Sequence, residues 1–172
     1  MSNYRRAQVP GACYFFTVVS HGRVPILGTP QAVDRLRASF RQVMAQRPFA
    51  VDGMVILPDH LHCLWRLPPG DADYATRWRL IKHHFSVALS AGRNRRREKA
   101  VWQRRYWEHV IRDQDDWQRH MDYIHYNPVK HGFAPGPGEW PHSSFAQAVA
   151  KGWYDSNWGR TEPPTLHGLD LE

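Results

Sequence analysis

Hydrophobic and polar positions along the chain fall into two alternating periods. Residues 12–20 are apolar and rich in aromatic and β-branched side chains, which predicts a strand. After Pro30, the residues Val33, Leu36, Phe40 and Val43 recur at helical spacing and predict a helix over 32–46. Residues 49–57 and 61–67 read as two strands turning at Pro58-Asp59. A second helix follows over 73–91, with Trp78, Ile81, Phe85, Val87 and Leu89 among its apolar positions. A basic connector at 92–99 (GRNRRREK) leads to a short strand over 106–111. Over 115–129 Trp117, His120, Met121, Tyr123 and Ile124 return to helical spacing, and Pro128 with Gly132 marks the stop. The order β-α-β-β-α-β, then α, is the ferredoxin-like split βαβ pattern: an α+β antiparallel sheet with an added helix.

Beyond that helix the pattern changes. Residues 135–141 hold three prolines, two glycines and Trp140, which predicts an extended crossing. Residues 143–150 suit a short helix capped by Ser143 or Ser144. Residues 154–172 lack periodicity and are expected to be loosely ordered, with Trp153 and Trp158 as anchors. The expected organisation is a domain over 1–134 and an irregular C-terminal extension over 135–172 that packs on or near it. No internal repeat is present.

A chain of 172 residues at 42% hydrophobic has the size of one domain with a real core. A net charge of +7 favours a polyanionic partner without identifying it. Eight Trp, seven Tyr and seven Phe give 13% aromatic residues, and rings beside a basic surface suit single-stranded nucleic acid. Two cysteines, Cys13 and Cys63, are too few for a disulfide framework and read as buried reduced thiols. No apolar leader follows MSNYRR and no run is long enough to span a bilayer, so the expectation is a cytoplasmic protein with no membrane partner.

Two short segments carry candidate chemistry. In PDHLHCLWRLP, His60 and His62 are separated by one residue on a predicted strand, so both imidazoles share a face while Leu61 and Cys63 take the other. Two convergent imidazoles are a common start to a divalent-metal site, although a bare His-x-His is more often a pair of partly exposed strand histidines. In DDWQRHMDYIHYNPVKHG, Tyr123 and Asn127 are four apart and share one helix face. A phenol beside a carboxamide suits a nucleophile with a neutral oxygen ligand; taken alone, an amphipathic helix ending at Asn127 is the simpler account. Tyr126, the rival nucleophile, points about 100° away from Asn127. His125 and His131 lie off the Tyr123–Asn127 face and read as surface residues; His120, one turn before Tyr123, could contact a phosphate or simply be solvated, and the second is the preferred reading.

Together these segments, with YRR at Tyr4 to Arg6, CYFFTV from Cys13, RPFAVDGMVILPDHLHCLWRLP from Arg47, TRWRLIKHHF from Thr76 and VWQRRYWEHVIRD from Val101, resemble the HUH single-tyrosine (IS200-like) transposases. The resemblance is greatest to the REP-associated tyrosine transposases of bacteria. It spans roughly the first 145 residues in register, more than a short motif gives by chance. The resemblance implies that His60 and His62 bind a metal, that Asn127 holds the third ligand position, and that Tyr123 is the nucleophile. The implied reaction is metal-dependent cleavage and joining of single-stranded or REP-type hairpin DNA through a 5′-phosphotyrosine. Such a donor set suits Mg²⁺ or Mn²⁺. The resemblance also implies that Arg5 and Arg6 help read a tetranucleotide flanking the hairpin. Arg95, Arg96 and Arg97 are candidates for phosphate contacts, and Gln103, Arg104 and Arg105 for the DNA path beside the histidine strand. Relatives most like this chain act as monomers, whereas the wider superfamily includes dimers. Two alternatives stand beside this reading. One is a hairpin-binding protein with vestigial chemistry; the other is a zinc hydrolase using Cys63, which strand alternation turns away from the histidines.

Overall fold

The computed structural model of the protein describes residues 6–90, 101–169 and 171. Four strands, β1 (Cys13–Val19), β2 (Ala50–Ile56), β3 (His60–Arg66) and β4 (Trp107–Val110), form one sheet in the order β2-β3-β1-β4. Every neighbouring pair is antiparallel. Helices α1 (Pro30–Gln46) and α2 (Tyr74–Ser90) cover one face; α3 (Gln114–Lys130) and the short α4 (Phe145–Ala150) cover the other. This is the α+β arrangement that the hydrophobic periods predict.

Strand alternation divides the core in two. Tyr14, Phe16 and Val18 of β1 and Leu61, Cys63 and Trp65 of β3 face α1 and α2. Phe15 and Leu64 face α3 with Val55, joined by Met121 and Ile124. The starts of α1 and α3 differ from the sequence expectation, each for a local reason. α1 begins at Pro30, because Thr29 Oγ1 accepts from the Ala32 amide at 3.2 Å and proline suits the first helical position. α3 begins one residue early, where Asp113 caps the Asp116 amide at 2.8 Å. It then runs through Pro128 to Lys130 and ends in paired bonds, Gly132 N–H to Val129 O and Phe133 N–H to Pro128 O, with Gly132 at φ 71°.

β2 carries a bulge between Val51 and Gly53 that turns Asp52 towards α3, where it accepts from Arg66 (2.7 Å) and Trp117 Nε1 (3.0 Å). Gly53 lets α3 approach the sheet: a Cβ there would lie 2.4 Å from Met121 Sδ, and Met121 is fully buried. Gly53→Ala is therefore expected to lower stability by about 1–3 kcal/mol through overpacking. Denaturant unfolding checks this, and an unchanged midpoint would remove the close approach as a constraint.

The C-terminal residues are better ordered than their sequence suggests. Residues 137–139 form a single 3-10 turn within the expected extended crossing. Ser144 precedes α4, but its hydroxyl accepts from the Met54 amide (2.9 Å) instead of capping the helix. Ser143 Oγ takes the Phe145 amide at 3.1 Å. The segment after 154 is a correction to the expectation of loose order: Tyr154 and Leu166 are buried, and the Asp122 carboxylate accepts from Tyr154 (2.6 Å), Thr165 (2.7 Å) and Gln118 (2.8 Å). Of the two expected anchors, Trp158 packs on Tyr154, whereas Trp153 is 46% exposed. Among the described residues, no helix is long and apolar enough to cross a membrane.

Candidate active site

β3 lies between β2 and β1, and its residues on the α3 face include His60 and His62. Both are buried, at 2% and 0% exposure, which corrects the view of partly exposed strand histidines. Their rings stand 4.9 Å apart at 81°. Each Nδ1 is tied to a fixed partner. Asp59 Oδ1 lies 2.6 Å from His60 Nδ1, and Thr17, directly across the ladder, places Oγ1 2.9 Å from His62 Nδ1. Thr17 gives its hydroxyl proton to Leu171 O at 3.2 Å, so it accepts the proton that His62 Nδ1 carries. A carboxylate can only accept, so His60 Nδ1 also carries its proton. Both imidazoles are thereby set in the tautomer whose Nε2 bears the lone pair, the arrangement that suits metal ligation. Burial opposes charge on Asp59, yet the hydrogen bonds from His60 and Arg23 and the charge of the Arg23 guanidinium hold its carboxyl below the ordinary carboxylate range.

α3 brings the second half. Met121 and Ile124 seat the helix on the sheet, and the same turns carry Tyr123 against His62, with ring centroids 5.2 Å apart at 79°. Tyr123 is 2% exposed and Asn127, one turn on, is fully buried, its Oδ1 included. Two imidazole nitrogens and an amide oxygen are donor types that could hold a divalent cation, and imidazole, the softer ligand, suits Mn²⁺ better than Mg²⁺. The helix end adds a feature that the motif did not announce. Lys130 Nζ donates to Tyr123 Oη at 3.2 Å and lies 5.0 Å from the ring centroid. His131, at the cap, places its ring 5.3 Å from that of His60. Tyr126 turns elsewhere, to the side of Gly159 and Pro137, and burial raises its pKa.

A second cluster adjoins this one. His109 of β4 stacks on His120 of α3 at 4.7 Å, and His120 in turn packs on Phe15 at 4.8 Å. Asp116 Oδ2 meets His109 Nε2 (2.8 Å), the Arg112 amide (2.9 Å) and Arg112 Nε (3.3 Å). His109, Asp116 and His120 have the spacing of a three-ligand cation site. The guanidinium already balances the Asp116 charge, and His120 Nδ1 is spent on Asp116 O at 2.7 Å. We therefore read the cluster as a scaffold tying β4 to α3. Burial opposes the Asp116 charge, but these donors hold its pKa at about 2.

His120 and His125 are buried, at 4% and 0%, which corrects the expectation of a solvated His120 and a surface His125. His125 Nε2 lies 2.9 Å from Ser144 Oγ, and burial lowers its pKa to about 3. Cys63 faces α1 and α2, away from both histidines. Arg6 bonds to the Tyr106 hydroxyl with its guanidinium 4.2 Å from that ring's centroid. Arg104 and Arg105 are exposed just before β4. Gln103 is held by its backbone, to Val19 O and from Lys82 Nζ, both at 3.0 Å. Arg5, Arg95, Arg96 and Arg97 lie outside the described residues. Sequence reasoning missed Asp59, Thr17 and Lys130; of these only Lys130, two turns beyond Tyr123, had a periodic signal.

Comparison with known proteins bears on this geometry. Residues 8–127 match the family model described as "Transposase IS200 like". The chain is 43% identical over 158 residues to the REP-associated tyrosine transposase of Escherichia coli K12, covering 92% of this chain and 91% of that protein. It is 41% identical over 166 residues to a putative REP-associated tyrosine transposase of Haemophilus influenzae, covering 92% and 94%. Among solved structures, a REP-associated tyrosine transposase bound to a REP hairpin superposes with a TM-score of 0.84 at 40% identity, covering 100% of this chain and 99% of that one. A putative transposase from Deinococcus radiodurans shares the fold at a TM-score of 0.50 and 15% identity, covering 67% of this chain and 91% of that one.

Proposed function

The chain belongs to the IS200-like transposase family, and from that premise we propose that Tyr123 cuts and rejoins single-stranded or REP-type hairpin DNA through a 5′-phosphotyrosine. The observation that carries this reading is the Tyr123 ring 5.2 Å from His62 with Lys130 Nζ 3.2 Å from its oxygen. In cleavage, Oη bonds to phosphorus and loses its proton, the P–O3′ bond breaks, and O3′ takes up a proton to leave as a hydroxyl. Joining runs the same exchange backwards with another 3′-hydroxyl, so the phosphoryl bond is conserved and no nucleotide cofactor is needed. A divalent cation on His60, His62 and Asn127 would neutralise charge on the nonbridging phosphoryl oxygens.

The chain's own groups do the rest. A phenol with an ordinary pKa near 10 is a weak nucleophile at neutral pH. The Lys130 ammonium stabilises negative charge on Oη, both as that oxygen attacks and as it departs on joining. Asp59 and Thr17 hold the imidazoles in one tautomer and one orientation. The defining test is incubation with a labelled hairpin bearing single-stranded flanks in Mn²⁺, followed by a denaturing gel and peptide mapping. A DNA-shifted band whose modified peptide carries Tyr123 supports the reading, and a band mapping to Tyr126 refutes it.

Lys130→Met should slow adduct formation by about 10–100-fold at neutral pH, the worth of one hydrogen bond to a charged group. Without the ammonium the phenolate forms at higher pH, so the rate profile should move to the alkaline side while hairpin affinity is kept. An unmoved profile with weakened binding would make Lys130 a DNA contact only.

A further inference from the structure

A strip of aromatic side chains starts at the histidine site and leads away from it. His60 touches His131 (5.3 Å), His131 touches Phe133 (6.0 Å), Phe133 touches Trp140 (5.5 Å) and Trp140 touches His142 (5.8 Å). The His131–Phe133 and Phe133–Trp140 planes are each inclined by 31°, and Phe133 is the exposed ring of the strip. At His142 it opens into a cleft of about 310 Å³ between α1, the edge of β2 and α4. Cations line that cleft: Arg37 and Arg41 from α1 and Lys151 after α4, with Trp153 beside them. Lys151 Nζ lies 4.5 Å from the Trp153 ring centroid. Phe133 and Trp153, each 46% exposed, are two of the six large hydrophobic residues exposed among those described; one lies on the strip and the other in the cleft.

We propose that the unpaired DNA strand next to the scissile phosphate runs along this strip, stacks on Phe133 and enters the basic cleft. The inference rests on the reading of Tyr123 as a DNA nucleophile and adds where the strand goes. Three observations favour a single strand as the occupant. An exposed aromatic ring at Phe133 suits bases that are free to stack, whereas a duplex keeps its base faces to itself. Arg37, Arg41 and Lys151 complement a phosphate backbone. Asp34, exposed and 3.9 Å from Arg37, offsets part of that charge, whereas Asp52 is already bound by Arg66 and Trp117. A peptide strand is disfavoured, because the β2 edge is closed by its own chain: Ile56 N–H donates to His142 O and Ser144 N–H to Met54 O, both at 2.8 Å.

The test compares hairpins with no flank, a 5′ single-stranded flank or a 3′ single-stranded flank, on wild type, Phe133→Ala and the double variant Arg41→Gln/Lys151→Gln. The wild type should bind one flanked hairpin more tightly than the bare one. Phe133→Ala should weaken that substrate alone, by about 5–150-fold, the worth of one base–aromatic stack. The double variant should reduce the log–log salt slope on it by roughly 1.4, two single-strand phosphate contacts at about 0.7 each. No gain from either flank, or equal losses on bare and flanked hairpins, would overturn the proposal. So would sedimentation showing that the strip is covered by a second copy of the chain, with Phe133→Ala releasing the monomer. Flank-dependent binding without any Tyr123 adduct in the wild type would refute the catalytic reading while leaving the strand path standing.

Discussion

Tyr123→Phe is expected to abolish the covalent DNA adduct, lowering cleavage by about 10⁴-fold or more, as losing a nucleophile does in other covalent enzymes. The ring survives the change, and with it the contacts to His62 at 5.2 Å and Phe15 at 6.1 Å that seat this turn of α3. The lost hydroxyl takes an acceptor from Lys130, an exposed residue that water can satisfy, so stability should move by less than about 1 kcal/mol. Hairpin affinity should be nearly unchanged. Tyr126→Phe is the control and should keep full activity, because Tyr126 packs towards Gly159 and Pro137. Adduct formation by the Tyr123 variant, with loss in the Tyr126 variant, would reverse the assignment.

His62→Ala is expected to remove metal-dependent cleavage, because it leaves one imidazole and one amide to hold the ion. The partners of the histidines give the result an internal scale. Thr17→Val and Asp59→Ala keep all three donors but release the tautomer and orientation of His62 and His60 respectively. Each should weaken Mn²⁺ affinity or activity by about 10–100-fold. Mn²⁺ titration followed by electron paramagnetic resonance, alongside the adduct assay, separates lost binding from lost chemistry. Full wild-type cleavage in excess EDTA would exclude the metal role altogether.

The parts of this site that were legible in the sequence obey a short period. Alternation along β3 puts His60 and His62 on one face and Cys63 on the other, and helical spacing puts Tyr123 and Asn127 one turn apart. What stayed hidden depends on chain segments meeting in space. Thr17 reaches His62 only through the register of β1 on β3, and Asp59 depends on the turn that precedes β3. Lys130 was obscured because Pro128 reads as a stop. A proline in the last turn forgoes only one backbone bond, and the turn closes through Gly132 and Phe133 instead. His125 looked solvent-facing because the sequence, although it predicts a short helix over 143–150, gives no sign that Phe145 and Tyr154 pack against this face of α3.

The position of β3 has a further consequence. It is hydrogen-bonded on both sides, to β1 and to β2, so its backbone amides should be among the last to exchange with solvent. The histidines should therefore ride on a part of the molecule that opens only with global unfolding. A bound ion would then have no loop to organise, and its binding free energy would appear as added resistance to global unfolding, growing with the logarithm of ion concentration above Kd.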